Sequence, residues 1–177
     1  EDERRLFPEV PAEHDFGRVD VIADIDNDGL RAFADDSQDF VIASHVIEHL
    51  AAPIAGFEEM LRVTRPGGIV IIVLPDRRFT FDRDRDGTPL THLLEEHAAG
   101  IREVSDEHIR EFLLKTGEPN APSEADLALH RERSVHVHCW SDSEFDDVLT
   151  ATRDELGFRF AVIDAYDAFA PHGTNIE

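Results

Sequence analysis

At 177 residues and 41% hydrophobic composition, the chain has the size and apolarity of one domain with a core of its own. Its 39 Asp and Glu against 17 Lys and Arg leave a formal net charge of -22, which repels phosphate backbones and anionic lipid and so disfavours nucleic-acid and membrane-surface partners. The lone Cys139 excludes an intrachain disulfide, and with neither a signal-peptide pattern nor an apolar run near the roughly 18 residues that span a bilayer, a cytoplasmic setting is expected. The acidity has two readings, a solvated face or adaptation to a salty cytoplasm where screening makes self-repulsion tolerable.

Residues 1–17 are polar and hold two prolines, with Leu6, Phe7 and Val10 as a helical remnant. Residues 19–25, VDVIADI, read as a strand, and 26–29, DNDG, as a turn. The runs 40–43 and 69–74 are apolar and rich in β-branched residues, which predicts strands buried on both faces. Between them, residues 45–63 place Val46, Ile47, Leu50, Ile54, Phe57, Met60 and Leu61 at mostly three- and four-residue intervals, the stripe of a helix packed on a sheet. Pro66-Gly67-Gly68 then turns the chain back. Strand, helix and strand make a right-handed βαβ unit with a parallel sheet, whose ligand edge lies at Ser44, His45, Pro75 and Asp76.

Residues 77–133 read as an insertion, either a cap that builds a substrate pocket or a surface excursion. It opens with a charged loop at 77–86, followed by a short helix from Pro89 to His97, a second at 106–114, a linker at 117–123 and a third helix at 124–133. Residues 135–140, VHVHCW, are strand-like. Ser141 with Glu144 is a capping box opening a helix through Leu156, closed by Gly157. Residues 158–165 predict a further strand, and 174–177 the start of another.

Two sets of residues carry chemistry. His45-Val46-Ile47-Glu48-His49 fits H-x-x-E-H, in which helical spacing would put both histidines on one face as zinc ligands with the glutamate activating water, as in a metallopeptidase. The longer ordered run is more specific: Asp24, then Asp36-Ser37-Gln38-Asp39-Phe40, then Glu48-His49 with Pro53, then Arg62 with Pro66-Gly67-Gly68, then Leu74-Pro75. It resembles the class I S-adenosylmethionine-dependent methyltransferases of the type 11 kind, with their D-S-x-D-F, E-H-x-x-x-P and R-x-x-x-P-G-G elements. Closely similar bacterial proteins share the loop at 76–83 and the T-P-L-x-H-L-L stretch at 88–94.

The resemblance implies an α/β fold with a Rossmann-like, mostly parallel sheet lacking the family's first two strands, and a helical insertion after the fifth. The whole of 1–177 is then a single partial methyltransferase domain, with 77–133 as the substrate cap. No G-x-G-x-x-G or P-loop string occurs, so the family's glycine-rich turn has no counterpart here. Carried over by position, Asp24 and Ile25 lie near the cofactor's adenine, and Ser44 with His45 at the end of the fourth strand; the alternative for Asp24 is a solvated turn carboxylate. His45 or His49 serves as base or orienting group, with Glu48 in support.

A second resemblance concerns a divalent metal. Small-RNA terminal 2′-O-methyltransferases, and in part ubiquinone-pathway O-methyltransferases, use an E-x-x-E-H helix, and the RNA enzymes add a histidine four residues before a tryptophan. Glu48, His49 and His136 match, and His138 shares the strand face of His136. His45 stands where that family has Glu, which shifts preference from Mg²⁺ toward Zn²⁺, Mn²⁺ or Fe²⁺. In the alternative, His45 and His49 orient cofactor or substrate by hydrogen bonds, and His136 and His138 are satisfied strand histidines. The expected function is methyl transfer to an oxygen or nitrogen of a small molecule or glycan. A cofactor-free scaffold of that fold and an H-x-x-E-H zinc metallopeptidase are the alternatives.

Overall fold

In the computed structural model, residues 19–117 and 122–166 are described. Its centre is strand β1 (Gln38–Ser44), helix α1 (Pro53–Val63) and strand β2 (Thr64–Val73), with the strands parallel in a register running from Phe40↔Ile69 to Ser44↔Val73. Helices α2 (Leu90–Ala99), α3 (Asp106–Thr116) and α4 (Glu124–Arg133) form the insertion, and α5 (Asp142–Asp154) follows it. The chain is therefore α/β with a small parallel sheet, as expected. The helical remnant near Leu6, most of the 117–123 linker and the strand at 174–177 lie outside the described residues.

Alternation along the strands decides where the core sits. Val41, Ala43, Val70 and Ile72 point into a cluster with Ile47, Ile54, Met60, Leu93, Trp140 and Val148. Their neighbours point the other way, and Phe40 (62% exposed) and Ile42 (59%), with Ile69, Ile71 and Val73, stay uncovered among the described residues. The expectation of burial on both faces is thus corrected: the described helices pack on one face only.

The β1–α1 link also differs from the predicted helix over 45–63. His45 has a positive φ of 53°, a 3-10 turn spans Ile47–His49, and α1 starts only at Pro53. Proline suits a first helical position but pushes the residue before it out of the helical region, and Ala52 sits at φ -129°, ψ 70°. Asp26 replaces the missing helical turn by accepting from the Ala51 and Ala52 amides, both at 3.0 Å. At the other end, Pro66-Gly67-Gly68 lies within a bulged start of β2. Gly67 has φ 80°, and a Cβ on Gly68 would meet the Asp39 carbonyl oxygen at 2.8 Å.

The insertion helices begin where local caps place them: Ser105 for α3, and capping boxes Ser123/Asp126 for α4 and Ser141/Glu144 for α5. α3 and α4 close a second core of Ile109, Leu113 and Leu127 on Val135 and Val137. The predicted strands at 19–25, 135–140 and 158–165 do not form. Residues 19–24 are exposed and have no sheet partner among the described residues. Residues 135–140 are buried on all sides, and their polar backbone is satisfied irregularly. His138 N donates to the Glu48 carbonyl at 3.1 Å, Cys139 N to Thr88 Oγ1 at 3.1 Å, and Arg85 donates to the His136 carbonyl at 2.8 Å. A single parallel bridge, Asp76↔Trp140, is its one ladder contact among the described residues. No helix among the described residues is long and apolar enough to cross a membrane.

Candidate active site

The ligand edge of the sheet gathers residues from three distant stretches. His45 follows β1 directly, and its amide prolongs the ladder by donating to the Val73 carbonyl at 3.0 Å. Its side chain is 57% exposed, with Nδ1 3.2 Å from Glu48 Oε1. Glu48 is 1% exposed, and neither carboxylate oxygen has a hydrogen-bond partner among the described residues. His49 Nδ1 lies 2.8 Å from the Val135 carbonyl, which accepts only, so Nδ1 carries the hydrogen and Nε2 a free lone pair. His136 Nδ1 likewise donates to Asp82 Oδ2 at 2.6 Å. The ligand atoms of Glu48, His49 and His136 lie within 4.8 Å of one another, and the two rings meet edge to face.

Charge and burial set the protonation states. Burial pulls the His49 pKa below its ordinary value, against the raising effects of the Val135 carbonyl and Glu48, so the ring is neutral at pH 7. Burial alone would raise the Asp82 carboxyl, but hydrogen bonds from His136 and Arg85 outweigh it and leave it low. Asp82 is thus an ionised carboxylate behind a histidine whose far nitrogen faces the cluster, the arrangement that orients metal-binding or proton-accepting imidazoles. Sequence reading missed Asp82. Its signal was faint, an acid among the alternating charges of 77–86.

The structure unites Glu48, His49 and His136 and leaves the adenine-side residues apart. Asp24 is exposed and closes a turn by accepting from Asn27 N at 3.1 Å and Asn27 Nδ2 at 3.0 Å, bonds that also lower its pKa. Ile25 lines an open cleft of about 550 Å³ between the 26–35 segment and α1, walled also by Arg31, Glu58, Arg62 and Arg102. Ser44 and His45 do not line it. The zinc-peptidase geometry is not formed. His45 precedes a 3-10 turn and does not share a helical face with His49, and Glu48 falls in the ligand group instead of beside it.

A parallel strand–helix–strand unit with acid and imidazole at its carboxyl edge defines an α/β core with a candidate site. Residues 10–72 match the methyltransferase domain family. An uncharacterized methyltransferase of Mycolicibacterium vanbaalenii is 55% identical over 40 residues, 23% of this chain and 16% of that protein. One of Mycobacterium tuberculosis is 52% identical over 40 residues, with the same shares. The matched stretch thus spans 16% of the length of these curated relatives. No solved structure gives a significant match.

Proposed function

We propose that the chain serves S-adenosylmethionine-dependent methyl transfer to an oxygen or nitrogen of a small molecule or glycan. The observation that carries this reading is the position of the family match, which contains β1, α1 and nearly all of β2 and so the edge where Ser44, His45, Glu48 and His49 stand. The Rossmann-like sheet of the family, entered at its third strand, is the frame this reading supplies, with α2–α4 as the cap over the acceptor.

The residues present fit one side of the cofactor. Ile25 offers an apolar wall to the adenine, and Ser44 is an exposed hydroxyl at the strand end. When bound, the cofactor supplies an electrophilic methyl group on a sulfonium. The chain's part is then alignment, with His49 Nε2 or His45 accepting the acceptor's proton. A second reading of the same residues is favoured by Glu48, whose buried carboxylate makes no hydrogen bond among the described residues. Glu48, His49 and His136 have the chemistry to hold a divalent metal of the zinc, manganese or iron type, which would lower the pKa of an acceptor hydroxyl.

Calorimetric titration with S-adenosylhomocysteine tests the cofactor reading. Saturable heat is expected, and its absence favours the cofactor-free scaffold. For the metal, His49→Ala should retain S-adenosylhomocysteine binding while losing metal from this cluster; equal metal content in variant and wild type would remove that reading.

A further inference from the structure

Away from the β1 edge, α2, α3 and the 134–140 segment bring together His92, Glu96, His108 and His138, whose ligand atoms lie within 4.8 Å of one another. His92 Nε2 is 3.1 Å from His108 Nε2 and 3.2 Å from Glu96 Oε2. Glu96 Oε1 is 3.6 Å from His108 Nε2, and Glu96 Oε2 is 3.6 Å from His138 Nε2. Zinc bonds of about 2.0–2.1 Å at tetrahedral angles put ligand atoms about 3.3–3.4 Å apart, close to the four separations above.

Protein hydrogen bonds do not account for this arrangement. One hydrogen shared between His92 and His108 satisfies that pair, yet it leaves His138 and Glu96 unserved. His138 is 0% exposed, and neither ring nitrogen has a hydrogen-bond partner among the described residues; Glu96 Oε2 is buried in the same condition. The Ala51 carbonyl lies near the His138 ring but without hydrogen-bond geometry. Ser105 Oγ, 3.0 Å from His108 Nδ1, can accept that nitrogen's hydrogen and leave the Nε2 lone pair facing inward. The nearby Arg85 cation is neutralised by Asp82 and Glu111.

We propose that His92, Glu96, His108 and His138 form a structural site for a divalent transition metal, zinc foremost, which ties α2 and α3 to the 134–140 segment. Three imidazoles exclude magnesium and calcium as preferred ions, and four protein ligands make a closed site. The site is separate in residues from the Glu48 cluster. It connects to it through His138 N, which donates to the Glu48 carbonyl.

The test uses the full chain after chelator treatment, titrated with Zn²⁺ and, for spectroscopy, Co²⁺. Zinc should raise the melting temperature of wild type and of His49→Ala, which breaks the Glu48 cluster, but not once Glu96→Gln or His92→Gln is added to His49→Ala. Affinity in the latter two should fall by more than the roughly 10–100-fold that outer-shell partners cost. Co²⁺ in wild type should give the intense visible bands of four-coordinate geometry. That spectrum decides the matter even where a variant fails to fold, which circular dichroism of the metal-free proteins would reveal. Wild type that takes up no zinc, a six-coordinate Co²⁺ spectrum, or zinc stabilisation lost in His49→Ala and kept in Glu96→Gln would each overturn the assignment; the methyl-transfer reading stands or falls separately.

Discussion

Asp82→Asn is the sharpest single perturbation of the network behind His136. Asp82 Oδ1 accepts from Arg85 Nη1 at 2.8 Å and Oδ2 from His136 Nδ1 at 2.6 Å, with all three residues buried. The amide retains one acceptor and replaces the other with two hydrogens. If its NH₂ faces Arg85, two donors collide. If it faces His136, the ring must present a lone pair at Nδ1, and its hydrogen moves to Nε2, the atom that faces the Glu48 cluster.

Breaking a buried ion pair costs about 3–5 kcal/mol when the remaining charge is stranded. Arg85 is not wholly stranded, because Glu111 still pairs with its Nε at 2.9 Å and Nη2 at 2.7 Å. The expected loss is therefore about 2–4 kcal/mol. At a urea m-value of about 2 kcal/mol/M, the midpoint falls by about 1–2 M. Urea denaturation followed by circular dichroism reads the stability, and nitrogen-15 NMR of the histidine rings reads the tautomer. A loss below about 0.5 kcal/mol with His136 still protonated at Nδ1 would refute the reasoning, since neither acceptor would then be holding its donor.

Gly68→Ala puts a Cβ 2.8 Å from the Asp39 carbonyl oxygen and 2.9 Å from that of Arg65, backbone atoms that cannot swing aside. It should cost about 2–3 kcal/mol in thermal or urea unfolding, against about 1–2 for Gly100→Ala, which meets only the strain of φ 66° in open space. The Glu144 carboxyl is held down at about 2, first by its hydrogen bonds from Arg77, so its contribution is complete above the ordinary value of 4.5 and fades as pH falls toward 2. The deficit of Glu144→Gln, about 1 kcal/mol at pH 7 after allowing for its partial exposure, should vanish in urea titrations as pH approaches 2. Leu127→Ala in α4 empties a fully buried position against Val135 and Val137 and should cost about 2–4 kcal/mol. Hydrogen exchange at the His138 amide should quicken while the β1–β2 amides keep their protection.

What was legible in the sequence was local. α4 and α5 fall within a few residues of their expected bounds because Ser123 with Asp126 and Ser141 with Glu144 carry their caps beside them. The start of α1 was misread although Pro53 marked it, because Val46, Ile47 and Leu50 satisfy a helical stripe and a folded turn alike. VHVHCW was misread for a different reason. Its alternation suits a strand, and what makes it a buried strap is the Arg85 guanidinium and the Glu48 carbonyl, groups no local pattern announces. The Glu48–His49–His136 cluster was reached through resemblance, whereas the four-residue spacing of His92 and Glu96 on α2 was the one sequence clue to the second cluster.

That strap ties the 77–133 insertion to the β1 edge. Here Asp82 fixes the ring of His136, Arg85 holds the carbonyls of His136 and Val137, and Thr88 anchors Cys139 from both its amide and its hydroxyl. Leu127 and Ile109 close the core beneath Val135 and Val137. Each contact restrains the strap, and the strap in turn bears His136 and the Val135 carbonyl that orients His49. The insertion therefore acts on the candidate site through position, and a change in it that spares every putting-in-place contact named above should leave the Glu48 cluster unmoved.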